Sequence, residues 1–178
     1  MFEHPRSTDE RGDTVDRFDI HPVHVGNGIV ALSPLPGCGD GYARDLVSIC
    51  DWRPGLVISV TTTDEMLQEG AIRLGDDLRA NGVRWVHLPI EDFGTPTPPV
   101  DTAWADIGAI VSRILSCGGR VLVHCRGGCG RSGMIVLRLM VEHGESPDTA
   151  LKRLRAVRKC AVETDSQMQW AARPVIGR

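Results

Sequence analysis

Strand-like and helix-like patterns alternate through most of this chain, which predicts an α/β fold. The expected architecture is a central, mainly parallel sheet of about five strands with helices on both faces, three layers in all. Two observations sharpen the reading. RVLVHC at 120–125 is short and apolar almost throughout, as a central strand covered on both faces must be. The pattern that follows, RSGMIVLRLMVEHG, is a helix that is nearly all apolar and therefore buried as well.

The elements follow in order. Residues 1–20 are charged, lack an apolar core and read as a mobile polar tail rather than a secretory signal. A single domain is expected over 21–174. HPVHVGNGIVALS holds two short apolar runs around Asn27 and Gly28, a strong hairpin signal. SPLPGCGDG is a loop, YARDLVSICDW a helix, and the apolar run LVISV is read as a buried strand over 57–61. TDEMLQEGAIRLGDDLRANG forms a broken helix capped by Thr63 or Asp64. VRWVHLPI is the next strand, ending at the loop EDFGTPTPP. Val100, Trp104, Ile107, Val111, Ile114 and Leu115 recur every three or four positions, or side by side, giving an amphipathic helix opened by prolines and stopped at Gly118 and Gly119. Gly144 stops the apolar helix, Ser146 and Pro147 open another, and a last helix starts at Thr164.

Bulk properties exclude several classes. A net charge of -3 gives no support to a general nucleic-acid or anionic-membrane binder. No apolar stretch approaches the roughly 18 residues that span a bilayer. Six cysteines stand at 38, 50, 117, 125, 129 and 160 without a framework spacing. With no export signal they are expected as reduced thiols, and the cytoplasm is the default location.

Chemistry concentrates in VLVHCRGGCGRSG at 121–133. A strand that ends in glycines and restarts as a helix leaves backbone N–H groups aimed at something negative. Gly127, Gly128, Gly130 and Gly133 let the backbone curl close to a ligand, and Arg131 brings a fork of donors suited to an oxyanion. These surroundings favour the nucleophilic thiolate of Cys125. An anion cradle and an anionic nucleophile in one loop fit phosphoryl transfer to cysteine, with Ser132 placed to hydrogen-bond the sulfur.

HCRGGCGRS resembles the His-Cys-x5-Arg-Ser/Thr signature of cysteine-dependent protein tyrosine and dual-specificity phosphatases. LSPLPGCG at 32–39, LPIEDFGTP at 88–96 and AVETDSQ at 161–167 resemble segments of the kinase-associated phosphatase branch. The likeness spans roughly 22–172 and implies the three-layer cysteine-phosphatase fold. It further implies Cys125 as nucleophile, Arg131 as the ligand of the phosphate oxygens, and Asp92 as general acid and base. The phosphate-binding loop comprises Arg126, Gly127, Gly128, Cys129, Gly130 and Arg131, supported by His124. No cofactor and no metal is implied. The partner is a phosphorylated protein or peptide, and no nucleic acid or membrane span is expected. Cys129 departs from the pattern, standing where a bulky apolar residue is common.

Several positions carry a second reading. Glu91 and Asp101 compete with Asp92 for the acid's role. Gln167 positions the hydrolytic water if the resemblance holds, or completes a capping box with Thr164. Arg126 points outward, to substrate or to solvent. Cys129 sits too close to Cys125 along the loop to be its expected disulfide partner. For His124, Cys125 and Cys129 as zinc ligands, no fourth ligand at suitable spacing is evident. Alternative functions are a phosphoinositide or other small phosphate-ester phosphatase, a phosphate-binding module without catalysis, sulfur transfer through Cys125, and arsenate reduction through Cys125. The last requires a nearby cysteine relay and leaves Asp92 without a role.

Overall fold

The computed structural model describes residues 18–39 and 41–174. Five strands, β1 (His21–Val25), β2 (Gly28–Ser33), β3 (Leu56–Ser59), β4 (Arg84–His87) and β5 (Arg120–His124), form one sheet in the order β1-β2-β5-β3-β4. β2, β5, β3 and β4 run parallel, while β1 pairs antiparallel with β2 at one edge. Among the described residues seven helices accompany them: α1 (Tyr42–Trp52), α2 (Thr63–Gln68), α3 (Leu74–Ala80), α4 (Pro98–Ser116), α5 (Gly130–Glu142), α6 (Pro147–Val157) and α7 (Asp165–Ala171). The expected α/β architecture is the one observed.

Successive strand side chains point to opposite faces, so β5 supplies two cores at once. Val121 and Val123 join the core built with α4, α5, α6 and α7, where Trp104, Val111, Leu115 and Met140 are buried. Leu122 joins the other, with Ile49 of α1, Met66 of α2, and Leu74 and Leu78 of α3. Burial on both sides explains why β5 reads as an unbroken apolar run. It also fixes the end of β5 at the middle of the sheet's carboxyl edge, where open α/β sheets bind ligands.

Four boundaries differ from the sequence expectation, each for a local reason. Val25 pairs with Gly28, so the hairpin turn is Gly26–Asn27, with Gly26 taking the positive φ of 56°. The strand expected over 57–61 is Leu56–Ser59, because the LVISV run itself occupies residues 56–60. Thr62, not Thr63 or Asp64, caps α2: its Oγ1 accepts from Glu65 N at 3.2 Å while Glu65 Oε2 accepts from Thr62 N at 2.8 Å. Phe18 and Ile20 pack against the α1–α3 core, so packing begins before residue 21; residues 1–17 of the expected tail lie outside the described residues. Among the described residues no helix is long and apolar enough to cross a membrane.

Truncating Leu122, fully buried in the central strand, leaves a cavity between rigid neighbours. Leu122→Ala is expected to cost about 2–5 kcal/mol of stability, measured by urea denaturation.

Candidate active site

β5 delivers Cys125 to the carboxyl edge of the sheet, and the following loop runs directly into α5, for which Cys129 is the N-cap. The loop opens into a cleft of about 520 Å³ also lined by Pro34, Cys38, Glu69, Asp92, Phe93 and Glu163. Cys125 is only 3% exposed, and its sulfur lies 3.2 Å from Ser132 Oγ.

The loop's carbonyls are taken from outside. Arg126 O accepts from Leu35 N at 3.0 Å, Gly127 O from Arg158 Nη2 at 2.9 Å, and Gly128 O from Arg158 Nε at 3.2 Å. No peptide bond here is cis. In a planar trans peptide the N–H opposes the C=O, so the amides of Gly127, Gly128 and Cys129 turn the other way, toward the hollow of the loop. Gly128 is obligatory in that curl: its φ is 67°, and a Cβ there would meet the backbone of Ser33 and Pro34 at 2.5–2.8 Å.

Arg131 is 2% exposed, and both of its terminal nitrogens are engaged. Nη1 donates to Glu65 Oε2 and Nη2 to Glu65 Oε1, both at 2.7 Å, and Nη1 also donates to Ile90 O at 2.9 Å. Burial disfavours the Glu65 carboxylate, but hydrogen bonds from Arg131 and from the Thr62 amide outweigh it and hold Glu65 below the usual carboxylate range. Burial likewise works against the guanidinium, yet Glu65, Cys125 and Asp92 together keep its pKa above the ordinary value.

Asp92 alone of the three expected acids reaches the site. Its Oδ1 lies 3.1 Å from Arg131 Nη2, on a carboxyl left 53% exposed. Glu91 is exposed and does not line the cleft. Asp101 is committed elsewhere, accepting from Trp170 Nε1 and Arg173 Nη1, each at 2.9 Å. Phe93, next to Asp92, adopts φ 57° and stands 59% exposed at the cleft's mouth.

His124 is buried beneath the loop with its Nε2 against Ser59 Oγ, which in turn accepts from Trp85 Nε1 at 2.7 Å. Burial pushes His124 down to about 4, so the ring is neutral. Gln167 is buried and does not complete the capping box: Thr164 Oγ1 accepts from Gln167 N, but Gln167 Oε1 accepts from Glu163 N at 3.0 Å rather than from the cap residue. Its Nε2 donates to Gly94 O at 3.3 Å, tying α7 to the Asp92 loop. Arg126 does point outward, but to Glu69 at 2.9 Å rather than to solvent alone. Cys38 lines the cleft too, yet burial first and the Glu69 carboxylate second push its thiol up to about 12, leaving it inert.

The cysteine expectation needs correction at two positions. Cys129 and Cys160 are joined in a disulfide, with Cα atoms 5.2 Å apart, whereas Cys38, Cys50, Cys117 and Cys125 are free. Thirty-one residues separate the pair in sequence, and only the packing of the segment after α6 against the loop brings them together. Glu65, Ser59 and Arg158 were also not anticipated. Glu65 carried a signal of its own, the Thr62-x-x-Glu65 spacing, but that spacing announces a helix start and not a partner for arginine.

The family model described as Swiss Army Knife protein, DSP-PTPase phosphatase domain, matches residues 42–173. The chain is 31% identical over 149 residues to the cyclin-dependent kinase inhibitor 3 of Rattus norvegicus, covering 79% of this chain and 69% of that protein. Among solved structures, kinase-associated phosphatase with its catalytic-site cysteine changed to serine superposes with a TM-score of 0.77 at 23% identity, covering 86% of this chain and 92% of that one. The active form of Tk-PTP superposes with a TM-score of 0.63 at 30% identity, covering 79% and 87%.

A histidine held neutral by burial makes folding sensitive to acid. Between the ordinary value of 6.5 and about 4, the unfolded chain takes up a proton at this position and the folded one does not. Stability is therefore expected to fall as pH drops through that window, and His124→Asn is expected to flatten this part of the slope in denaturation series at successive pH values.

Proposed function

Because this chain belongs to the DSP-PTPase family of cysteine-dependent phosphatases, we propose that it hydrolyses phosphotyrosine in proteins and peptides through a phosphocysteine intermediate. Phosphoserine and phosphothreonine are its second substrate class. The observation that carries the reading is the convergence of Cys125, Arg131 and Asp92 on one cleft, with Asp92 already seated on the arginine.

The phosphate takes the hollow of the loop, where the amides and Arg131 hold its equatorial oxygens and the Cys125 thiolate faces phosphorus. Sulfur forms the S–P bond as the bond to the phenolic oxygen breaks, and Asp92 donates its proton to that oxygen. The Asp92 carboxylate then takes a proton from the water that attacks phosphocysteine, and the departing Cys125 thiolate accepts a hydrogen bond from Ser132. Glu65 is a positioning residue: it holds Arg131 flat from behind. Gln167 positions the Asp92 loop through Gly94. Charge stabilisation by a fixed guanidinium and amides supplies the main electrostatic term.

The rim favours this substrate class over phosphoinositides. Arg126 is neutralised by Glu69, and Glu163 adds a further carboxylate at the cleft. That rim accepts one phosphate and repels a polyanionic headgroup, while Phe93 and Pro34 offer apolar walls to an aromatic ring. The reading sets the enzyme in the reducing cytoplasm, where Cys125 stays a thiol.

Hydrolysis of a phosphotyrosine peptide is expected to vanish in Cys125→Ser and to fall about 10²–10⁴-fold in Asp92→Asn. The Asp92→Asn loss should be smaller on p-nitrophenyl phosphate, whose leaving group is the more stable anion. Activity surviving Cys125→Ser overturns the mechanism, and a wild type that binds vanadate but turns over no ester is a binding module instead. Glu65→Gln replaces a charge-assisted, bidentate contact by a weaker one. Its kcat/KM is expected to drop about 10–10²-fold, mainly through KM, as steady-state kinetics will read.

A further inference from the structure

The phosphatase mechanism uses Cys125 and leaves two other cysteines unexplained. Cys129 lines the same cleft as Cys125 four residues along the loop, and it is bonded to Cys160, which stands exposed on the segment after α6. The nucleophile itself is free. A disulfide exposed to solvent belongs to the readily exchanged kind rather than the structural kind. Arg158, two residues before Cys160, holds the loop by the carbonyls of Gly127 and Gly128, and Val162 N reaches Cys129 O at 3.4 Å. The disulfide is thus anchored at the oxyanion cradle, and a bonded pair beside a free Cys125 matches the state that delivery of two electrons to a substrate in that cradle would leave.

We propose that Cys125, Cys129 and Cys160 form a relay that reduces arsenate, a tetrahedral stand-in for phosphate, to arsenite at the phosphatase site. The inference rests on Cys125 and the loop binding an oxyanion as in the reading above. The Cys125 thiolate attacks arsenic, an As–O bond breaks, and the oxygen leaves as water. The Cys129 thiolate then attacks the Cys125 sulfur, the S–As bond breaks with its electron pair passing to arsenic, and arsenite departs. The resulting Cys125–Cys129 bond closes a tight turn of loop and is transient. The Cys160 thiolate attacks Cys129, forming the observed disulfide and releasing the Cys125 thiolate. In sum, arsenic acid and two thiols give arsenous acid, one disulfide and water. An external dithiol of the thioredoxin or dithiothreitol class reopens the Cys129–Cys160 bond for the next cycle.

The test uses the full chain, reduced and freed of reductant under anaerobic conditions, then given arsenate alone. Expected are one arsenite per chain, the loss of two thiols, and a Cys129–Cys160 disulfide in the peptide map. Cys160→Ser, which lies outside the phosphate loop, is expected to hydrolyse p-nitrophenyl phosphate as the wild type does. With arsenate it should release a single arsenite, trap Cys125 bonded to Cys129, and lose phosphatase activity until dithiothreitol is added. No arsenite from a reduced wild type that still hydrolyses p-nitrophenyl phosphate overturns the relay and leaves the phosphatase reading standing. Arsenite formed equally by wild type and Cys160→Ser, without any disulfide in the chain, overturns it as well.

Discussion

A guanidinium buried at the carboxyl edge of the sheet is the constraint around which this site is arranged. Arg131 is 2% exposed, and a charge so placed is tolerable only when paired and hydrogen-bonded. Glu65 from the start of α2, Ile90 O from the segment after β4, and Asp92 beside it supply the answers. Removing a partner from such a cluster strands a buried charge, typically at about 3–5 kcal/mol. The pairing therefore pins two chain segments, the start of α2 and the loop after β4 that carries the acid, to the first turn of α5, directly behind the loop that carries the nucleophile.

Around that anchor the loop is shaped from outside. Leu35 and Arg158 take the carbonyls, so the amides have nowhere to turn but inward. Gly128 permits the curl against Ser33 and Pro34. Ser59 and the neutral His124 support the strand end from below. Each of these contacts is spent on orientation ahead of any ligand, so an arriving oxyanion meets donors that need no rearrangement. The acid loop is held in the same manner, since Gln167 grips Gly94 and Arg131 holds Asp92.

The same cleft carries one feature that phosphate-ester hydrolysis does not require. A cysteine within the loop, bonded to a partner on the neighbouring segment, sets beside the nucleophile a redox couple that carries two electrons when it is reduced to the dithiol. Ester hydrolysis moves protons and a phosphoryl group only, so the pair stands apart from it chemically while sharing its geometry.

What the sequence determined by itself was whatever lies contiguous in the chain. The alternation of strands and helices, the buried run Val121–Val123, and the spacing of Cys125, Gly128, Arg131 and Ser132 were legible because local periodicity and turn chemistry act within a few residues. Asp92 was legible only with two competitors, because an acidic pair in a Gly/Pro loop has the same local appearance whether or not it faces a cleft. Glu65 was read as part of a helix start because its capping role is local, whereas its bond to Arg131 spans 66 residues. The Cys129–Cys160 bond, the grip of Arg158 and the reach of Gln167 to Gly94 were likewise decided by tertiary structure alone. Such contacts depend on which faces of distant elements pack together, and no spacing along a single segment encodes that.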